Sequence, residues 1–359
     1  MAQAFYSVIT GSGKYIPEIV VPNSNFLNTS FFDEGGEEIT RPGEEITDKF
    51  RQITDISERR YAAKDLNTSD LAYFAAKDAL ESSGTDPETL DYIIVAHNFG
   101  DVRADNKRSD FVPTLASRVK FKLGIENPYT VAYDLPFGCP GWLQGVIQAN
   151  YYIRSGDAKK VMVIGSEVLS RVSDPHDRDS MLYSDGAGAV ILKAVESEEG
   201  TGILAHNTRT DIYEFEQMLR MGESNNKELQ GQELYLKMNG RKLYEYALKT
   251  VPLAIQQCLE KTSYDIQQVK KVLIHQANGK MDDAILKRLY ALYGIKKLPE
   301  DIMPMTISWL GNSSVATLPT LYDLIVKGNF EGQEINEGDV IIFASVGAGM
   351  NINCVVYKA

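Results

Sequence analysis

Cys139 lies in "VAYDLPFGCPGWLQGV", residues 131–146, between an apolar strand-like run and a Pro-Gly step that opens an amphipathic run. A thiol in front of a helix faces free backbone N–H groups and the positive end of the helix dipole. Both favour thiolate, so this setting predicts a pKa below the free value of about 8.5. The plainer alternative is a buried small hydrophobe, but a Gly-Cys-Pro-Gly step between strand and helix argues for a nucleophile. His275 and Asn278, in "HQANGK", follow an apolar run, which places them at the C-terminal end of a strand, within reach of a shared cleft. Asn312, in "SWLGNSSVATLP", sits in a Gly-Asn-Ser-Ser turn before a helix, where an asparagine ordinarily serves as a cap or turn residue. Together they suit acyl transfer: the cysteine carries the acyl group while His and Asn N–H groups stabilise an oxyanion. A cysteine protease uses the same residue types, and their order does not choose between the two.

These residues need strands and helices to hold them, and the pattern supplies an α/β chain. Short β-branched runs alternate with helical periodicity. Strands are expected at 91–96, 129–135, 160–167, 187–194, 270–277 and 339–346, and helices at 67–84, 140–156, 280–294 and 314–328, the last kinked or shifted by Pro319. "LDYIIVAHN" (90–98) and "VKKVLIHQAN" (269–278) share a polar start, a buried strand, then His and Asn. This echo fits two duplicated halves, 1–195 and 196–359, meeting near the acidic "VESEEGTG". His97 borders a loop and could face a cleft. Polar stretches at 29–48, 98–112 and 206–233 read as loops. "SVGAGM" and "YSDGAGAVIL" read as tight turns, without dinucleotide or phosphate-loop spacing.

The totals narrow the function classes. With 359 residues, 43% hydrophobic and 24% charged, the chain builds an ample core. A net charge of −12 argues against a nucleic-acid binder. Three widely spaced cysteines predict a reduced compartment, and no metal-ligand spacing occurs. No signal peptide is recognisable and no apolar run spans a bilayer, so a cytoplasmic protein without a membrane partner is expected.

Taken together with "ITGSGKYIPEIVVPN", "ISERRYA", "TSDLAYFAAKDALESSG", "VIGSEVLSRVSDPHDRD", "MNGRKLYEYAL" and "GDVIIFASVGAG", the ordered set Cys…HQAN…GNSS resembles β-ketoacyl-[acyl-carrier-protein] synthase III of the thiolase superfamily, nearly end to end. The resemblance implies a thiolase-like five-layered αβαβα fold of two duplicated halves, and a homodimer. It implies that Cys139, His275 and Asn312 are catalytic. Cys139 takes an acyl group from a thioester, with acyl-CoA as donor. His275 and Asn312 then assist decarboxylation of malonyl-acyl-carrier protein, whose carbanion attacks the acyl-cysteine. The N–H groups of Cys139 and Ala348 form the oxyanion hole. Asn278, Arg171 and Phe111 fall at substrate-binding positions, Arg171 on the coenzyme A adenine and Phe111 in a segment that crosses the dimer to line the acyl pocket. Lys280 matches a basic residue that docks the acidic carrier protein. Beyond the coenzyme A thioester, a substrate, no cofactor is implied. One departure is clear: where the family type sandwiches adenine between a Trp and an Arg, this chain has Lys49 and Ile53, with Phe50 one place off. That departure motivates an alternative, a specialised-metabolism ketosynthase or acyltransferase in which the same acyl-cysteine meets another acceptor.

Overall fold

The computed structural model describes residues 4–359. Strand Tyr92–His97 shows how the layers arise. Its even and odd residues point to opposite faces. Ile93 and Val95 pack with Leu71, Ala75 and Ala79 of helix Thr68–Ser83 and Leu115 and Val119 of helix Leu115–Lys122. Ile94 and Ala96 pack with Trp142, Val146 and Ile153 of helix Gly141–Ser155. With both faces covered, the strand reads as an unbroken apolar run. The second sheet repeats this. Leu273, Ile341 and Phe343 join the same central core from the other side, and helices Gly240–Leu259 and Gly279–Leu292 cover the outer face. The result is five layers, helix–sheet–helix–sheet–helix, a thiolase-like α/β architecture.

The two sheets also repeat in order and direction. In the first, Ala4–Tyr15 pairs antiparallel with Asp185–Ser197, which pairs antiparallel with Lys160–Val168, which runs parallel to Tyr92–His97. In the second, Gly202–Thr210, Asn351–Lys358, Val340–Gly347 and Val269–Ile274 pair in the same sequence of senses. Helices Gly141–Ser155 and Thr317–Val326 occupy matching places in the middle layer. The first sheet has an additional edge strand, Val131–Pro136, parallel to Tyr92–His97.

Several stretches differ from the sequence reading. The 29–48 region ends inside helix Gly43–Thr54, whose Ile46, Phe50 and Ile53 share one side; flanking Gly, Pro and acidic residues disguise them. The 206–233 region contains strand Leu219–Gly222, which pairs with Tyr235–Met238 across a polar excursion. A small hairpin, Asp101–Val102 with Ser109–Asp110, lies within 98–112. Pro319 does not kink its helix, because it lies in the first turn of Thr317–Val326, where its missing N–H has no intrahelical partner to lose.

Candidate active site

Cys139 is positioned by two glycine turns in close contact. Strand Val131–Pro136 ends, Gly138 takes a left-handed φ of 73°, and helix Gly141–Ser155 begins two residues after the cysteine. A Cβ on Gly138 would lie 2.8 Å from the Ala348 carbonyl oxygen and 2.9 Å from its nitrogen. A Cβ on Gly347 would lie 2.6 Å from the Cys139 nitrogen. Only glycines allow this approach, which brings the Cys139 and Ala348 backbones to one wall.

His275 follows strand Val269–Ile274, and its N–H donates to the Ala344 carbonyl at 2.9 Å. The side chain is 2% exposed, and among the described residues its Nδ1 has no hydrogen-bond partner. Burial lowers its pKa to about 4, so the imidazole is neutral near pH 7. Gln276 fastens the neighbouring loop: it donates to the Pro304 carbonyl and accepts from the Thr306 and Ile307 N–H groups. Asn278 caps helix Gly279–Leu292 by accepting from Met281 N–H. Asn312 is fixed by backbone bonds to Leu182 and Ser184, and its Oδ1 accepts from Ser314 N–H at 2.9 Å. That leaves its Nδ2 end as donor.

Cys139, His275, Asn312 and Ala348 line a single cavity of about 250 Å³. Phe99, Leu219, Met221, Leu236 and Met238 give it an apolar wall. An outer vestibule of about 810 Å³ shares Asn312, Met281 and Met238 with it. Asn278, Lys49, Phe50 and Ile53 line that vestibule, together with the cations Arg41, Arg178 and Arg241.

Two sequence expectations need correction, the Cys139 pKa and the place of Arg171. Burial pushes the Cys139 thiol up to about 11, against a lowering by Ser314 and with a further raise from Glu167. In this site desolvation outweighs the N–H groups and helix terminus that predicted a depressed value. Arg171 does not line the cavity or vestibule: its guanidinium donates to the carbonyls of Val102, Ala63 and Leu66 and to Asn67. Phe111 is 43% exposed and lies tilted against His97, outside the cavity of its own chain, a position open to a segment that crosses a dimer. Lys280 is exposed on the first turn of the helix that Asn278 caps. Sequence reasoning missed Asn98 and Ser314, which line the cavity with Cys139, and Glu167, which accepts from Asn98 behind them. The Asn in "AHN", aligned by the internal echo with the Asn of "HQAN", was the available signal.

Comparison with known proteins agrees with this geometry. Residues 133–212 match the family described as 3-Oxoacyl-[acyl-carrier-protein (ACP)] synthase III, and residues 259–359 match its C-terminal region. The chain is similar to the β-ketoacyl-[acyl-carrier-protein] synthase III of Clostridium perfringens, 34% identical with 98% of each chain covered. It is similar to that of Cereibacter sphaeroides at 32%, again over 98% of both chains. Among solved structures, the Thermus thermophilus synthase III superposes with a TM-score of 0.81 at 29% identity, covering 98% of this chain and 99% of that one. The Aquifex aeolicus synthase III gives 0.79 at 28%, covering 98% and 100%. With this likeness running nearly end to end, the chain belongs to the 3-oxoacyl-[acyl-carrier-protein] synthase III family of acyl-transferring condensing enzymes.

Proposed function

We propose that the protein condenses an acyl thioester with malonyl-acyl-carrier protein, with Cys139 as acyl carrier and His275 and Asn312 as the decarboxylation pair. The observation that carries this reading is their common cavity: one sulfur, two N–H-bearing side chains and the Ala348 backbone around an apolar chamber with a cationic mouth. The Cys139 sulfur attacks the donor carbonyl and the departing thiol takes the proton. Malonyl thioester then enters, and loss of carbon dioxide leaves an enolate whose oxygen accepts from His275 and Asn312. A neutral imidazole can fill this role, because it still carries one N–H to donate to the enolate oxygen. The enolate carbon attacks the acyl-cysteine, the Cys139 and Ala348 N–H groups hold the tetrahedral oxygen, and the 3-oxoacyl chain leaves on the carrier.

Arg41, Lys49, Arg178 and Arg241 fit the phosphate of a coenzyme A or carrier-protein phosphopantetheine arm. Lys49 and Ile53 at the mouth, and an Arg171 committed to carbonyls, make adenine recognition here unlike the family type. Asn278 orders the vestibule wall, and Lys280 is a docking point for the acidic carrier. A homodimer is supported by the unpaired edge of Val131–Pro136 beside exposed Phe111, Val112, Tyr129 and Val131. In such a dimer Phe111 would be free to line the partner's pocket. A division into two halves is supported by the turn between Ser197 and Gly202 that separates the sheets; the expected boundary at 195/196 falls just inside strand Asp185–Ser197. Among the described residues no helix is long and apolar enough to cross a membrane; three free cysteines support a reducing, cytoplasmic setting.

The test incubates purified protein with acyl-CoA donors and malonyl-carrier protein. Acylated Cys139 by intact mass, carbon dioxide release and a 3-oxoacyl product are expected. Acylation without condensation points to a different acceptor, and no acylation by short, branched or medium donors overturns the reading.

A further inference from the structure

Glu167 is a carboxylic acid at the heart of the molecule, 1% exposed, near the end of strand Lys160–Val168. The condensation chemistry above gives it no task. Its Oε1 accepts a short hydrogen bond from Asn98 Nδ2, and the same amide group donates to Ser314 Oγ at 3.2 Å. Two N–H bonds are thereby satisfied, so the carboxamide has one orientation. Because Ser314 Oγ accepts from Asn98, its own hydrogen is left to donate, and Ser314 lines the same cavity as Cys139, whose thiol pKa it lowers. Ser314 is held at a left-handed φ of 54°, a conformation disfavoured for a residue with a Cβ. The backbone is thus committed to this placement of the hydroxyl.

We propose that Glu167 is a positioning residue for the nucleophile: it locks the Asn98 carboxamide so that Asn98 aims the Ser314 hydroxyl at the Cys139 sulfur. The chain of donors, Asn98 N–H to Ser314 O–H to sulfur, stabilises the thiolate more than the hydroxyl alone, since each bond polarises the next. This inference rests on Cys139 being the acyl carrier.

The charge state of Glu167 sets when the device works. Burial raises its carboxyl to about 8, with Asp185 on the neighbouring strand adding to the rise against the Asn98 hydrogen bonds. The other titratable group close by is Cys139 itself, whose thiol a Glu167 anion pushes up; His97, on the strand at the other side, has its Nε2 3.0 Å from Asp134 Oδ2. At neutral pH Glu167 is therefore an uncharged acceptor that orients Asn98 without repelling the thiolate. Above about pH 8 it becomes an anion that opposes sulfur ionisation.

The experiment follows alkylation of Cys139 by iodoacetamide, read by intact mass from pH 6 to 10, which reports the sulfur whether or not any acyl donor is accepted. Glu167→Leu is expected to slow alkylation at pH 7.5 about tenfold, the loss of one oriented hydrogen bond. Glu167→Gln, which keeps a carbonyl acceptor, recovers most of that loss. Ser314→Ala slows it similarly, and the Leu/Ala double variant falls no further than either single one. Above pH 8 the wild-type rate climbs less steeply than that of Glu167→Gln, which lacks the titrating charge. Gln falling as far as Leu, multiplicative losses in the double variant, or superimposable pH profiles for wild type and Glu167→Gln would each overturn the proposal. The last comparison needs no Leu variant, and so survives its failure to fold. Failure of acyl transfer with alkylation behaving as described would instead count against the condensation reading alone.

Discussion

His97 ends strand Tyr92–His97 of the first sheet, and His275 follows directly on Val269–Ile274, its counterpart in the second. Both rings are buried. His97 has one ring nitrogen occupied: Nδ1 accepts from Gly100 N–H at 3.0 Å, while Nε2 lies 3.0 Å from Asp134 Oδ2 without an aligned hydrogen bond, and Phe111 lies tilted against the ring. Asp134 in turn accepts from the N–H groups of Leu115 and Ala116, anchoring helix Leu115–Lys122. His275 has an orphaned Nδ1 and faces an open cavity. Duplication therefore delivered the same residue type to the same topological point twice. What separates the two is what the free nitrogen faces: for His97 a carboxylate inside the fold, for His275 an open cavity that a substrate can enter. An unsatisfied buried polar atom costs about 1–3 kcal/mol, a cost that makes sense where a substrate supplies the partner.

The sharpest way to break this comparison is to remove each ring in turn. His275→Ala is expected to lower condensation about 10³-fold, as loss of an oxyanion donor does, with little change in denaturant midpoint. His97→Ala is expected to lower stability by about 2–4 kcal/mol by leaving a cavity at a fully buried site and the Gly100 N–H without its acceptor, while the folded fraction keeps condensing within a few-fold of wild type. Steady-state kinetics beside chemical denaturation reads both. Equal kinetic losses would erase the distinction.

Acid titration of stability sharpens it further. His275 in the folded chain binds its proton only near pH 4, against about 6.5 when unfolded. Between those values the unfolded state holds more protons, so stability rises with pH there. The contribution is complete above about 6.5 and is lost as pH falls towards 4, by at most about 3 kcal/mol. His275→Asn should flatten the denaturation midpoint over that window. An unchanged slope would mean that His275 does not govern it.

How much of this was legible beforehand follows the same division between local and assembled causes. The run into Cys139, the "HQAN" strand end and the "GNSS" turn are local patterns, and each lands on the cavity wall. The capping box of Asn67 and Asp70 and the left-handed Gly84 fix helix Thr68–Ser83 as read. The thiol pKa was misjudged because a helix N-terminus is written in neighbouring residues, whereas desolvation is supplied by distant ones such as Leu219, Met221 and Leu236. Their hairpin was hidden in a polar stretch for the same reason: its strands meet only across the excursion 223–234. Arg171 lay at a matching position, yet its fate depends on three carbonyls contributed by two separate loops.

Glycines offer a second test of the difference between assembled and local demands. Gly156 terminates helix Gly141–Ser155 at φ 83° with nothing within 4 Å of a built Cβ. Gly347 is extended, so any residue could adopt its backbone, but its Cβ would strike the Cys139 nitrogen. Gly156→Ala should cost about 1 kcal/mol of stability and leave turnover intact. Gly347→Ala should displace the two N–H groups and reduce turnover about 30-fold, somewhat less than the about 10²–10³ lost when an oxyanion donor is removed outright. Finding the kinetic loss at Gly156 instead would refute the placement of that hole.

The smallest expected effect carries the question of what a free group faces over to charge. Lys280 and Lys287 both lie on helix Gly279–Leu292, but Lys287 is paired with Asp283 one turn back, while among the described residues Lys280 has no ion-pair partner. A cation already neutralised adds little to the field met by an acidic partner, whereas an unpaired one near the vestibule steers it. Lys280→Glu should raise the KM for malonyl-carrier protein about three- to tenfold at low salt, shrinking as ionic strength rises, with acylation of Cys139 from a small thioester unaffected. Lys287→Glu changes the local charge by the same two units, so its effect should be smaller only insofar as it lies about two turns further along the helix from the capped end at the vestibule. Equal effects from the two lysines would show that docking reads the overall charge of the helix, and that a lysine's place along it carries no meaning.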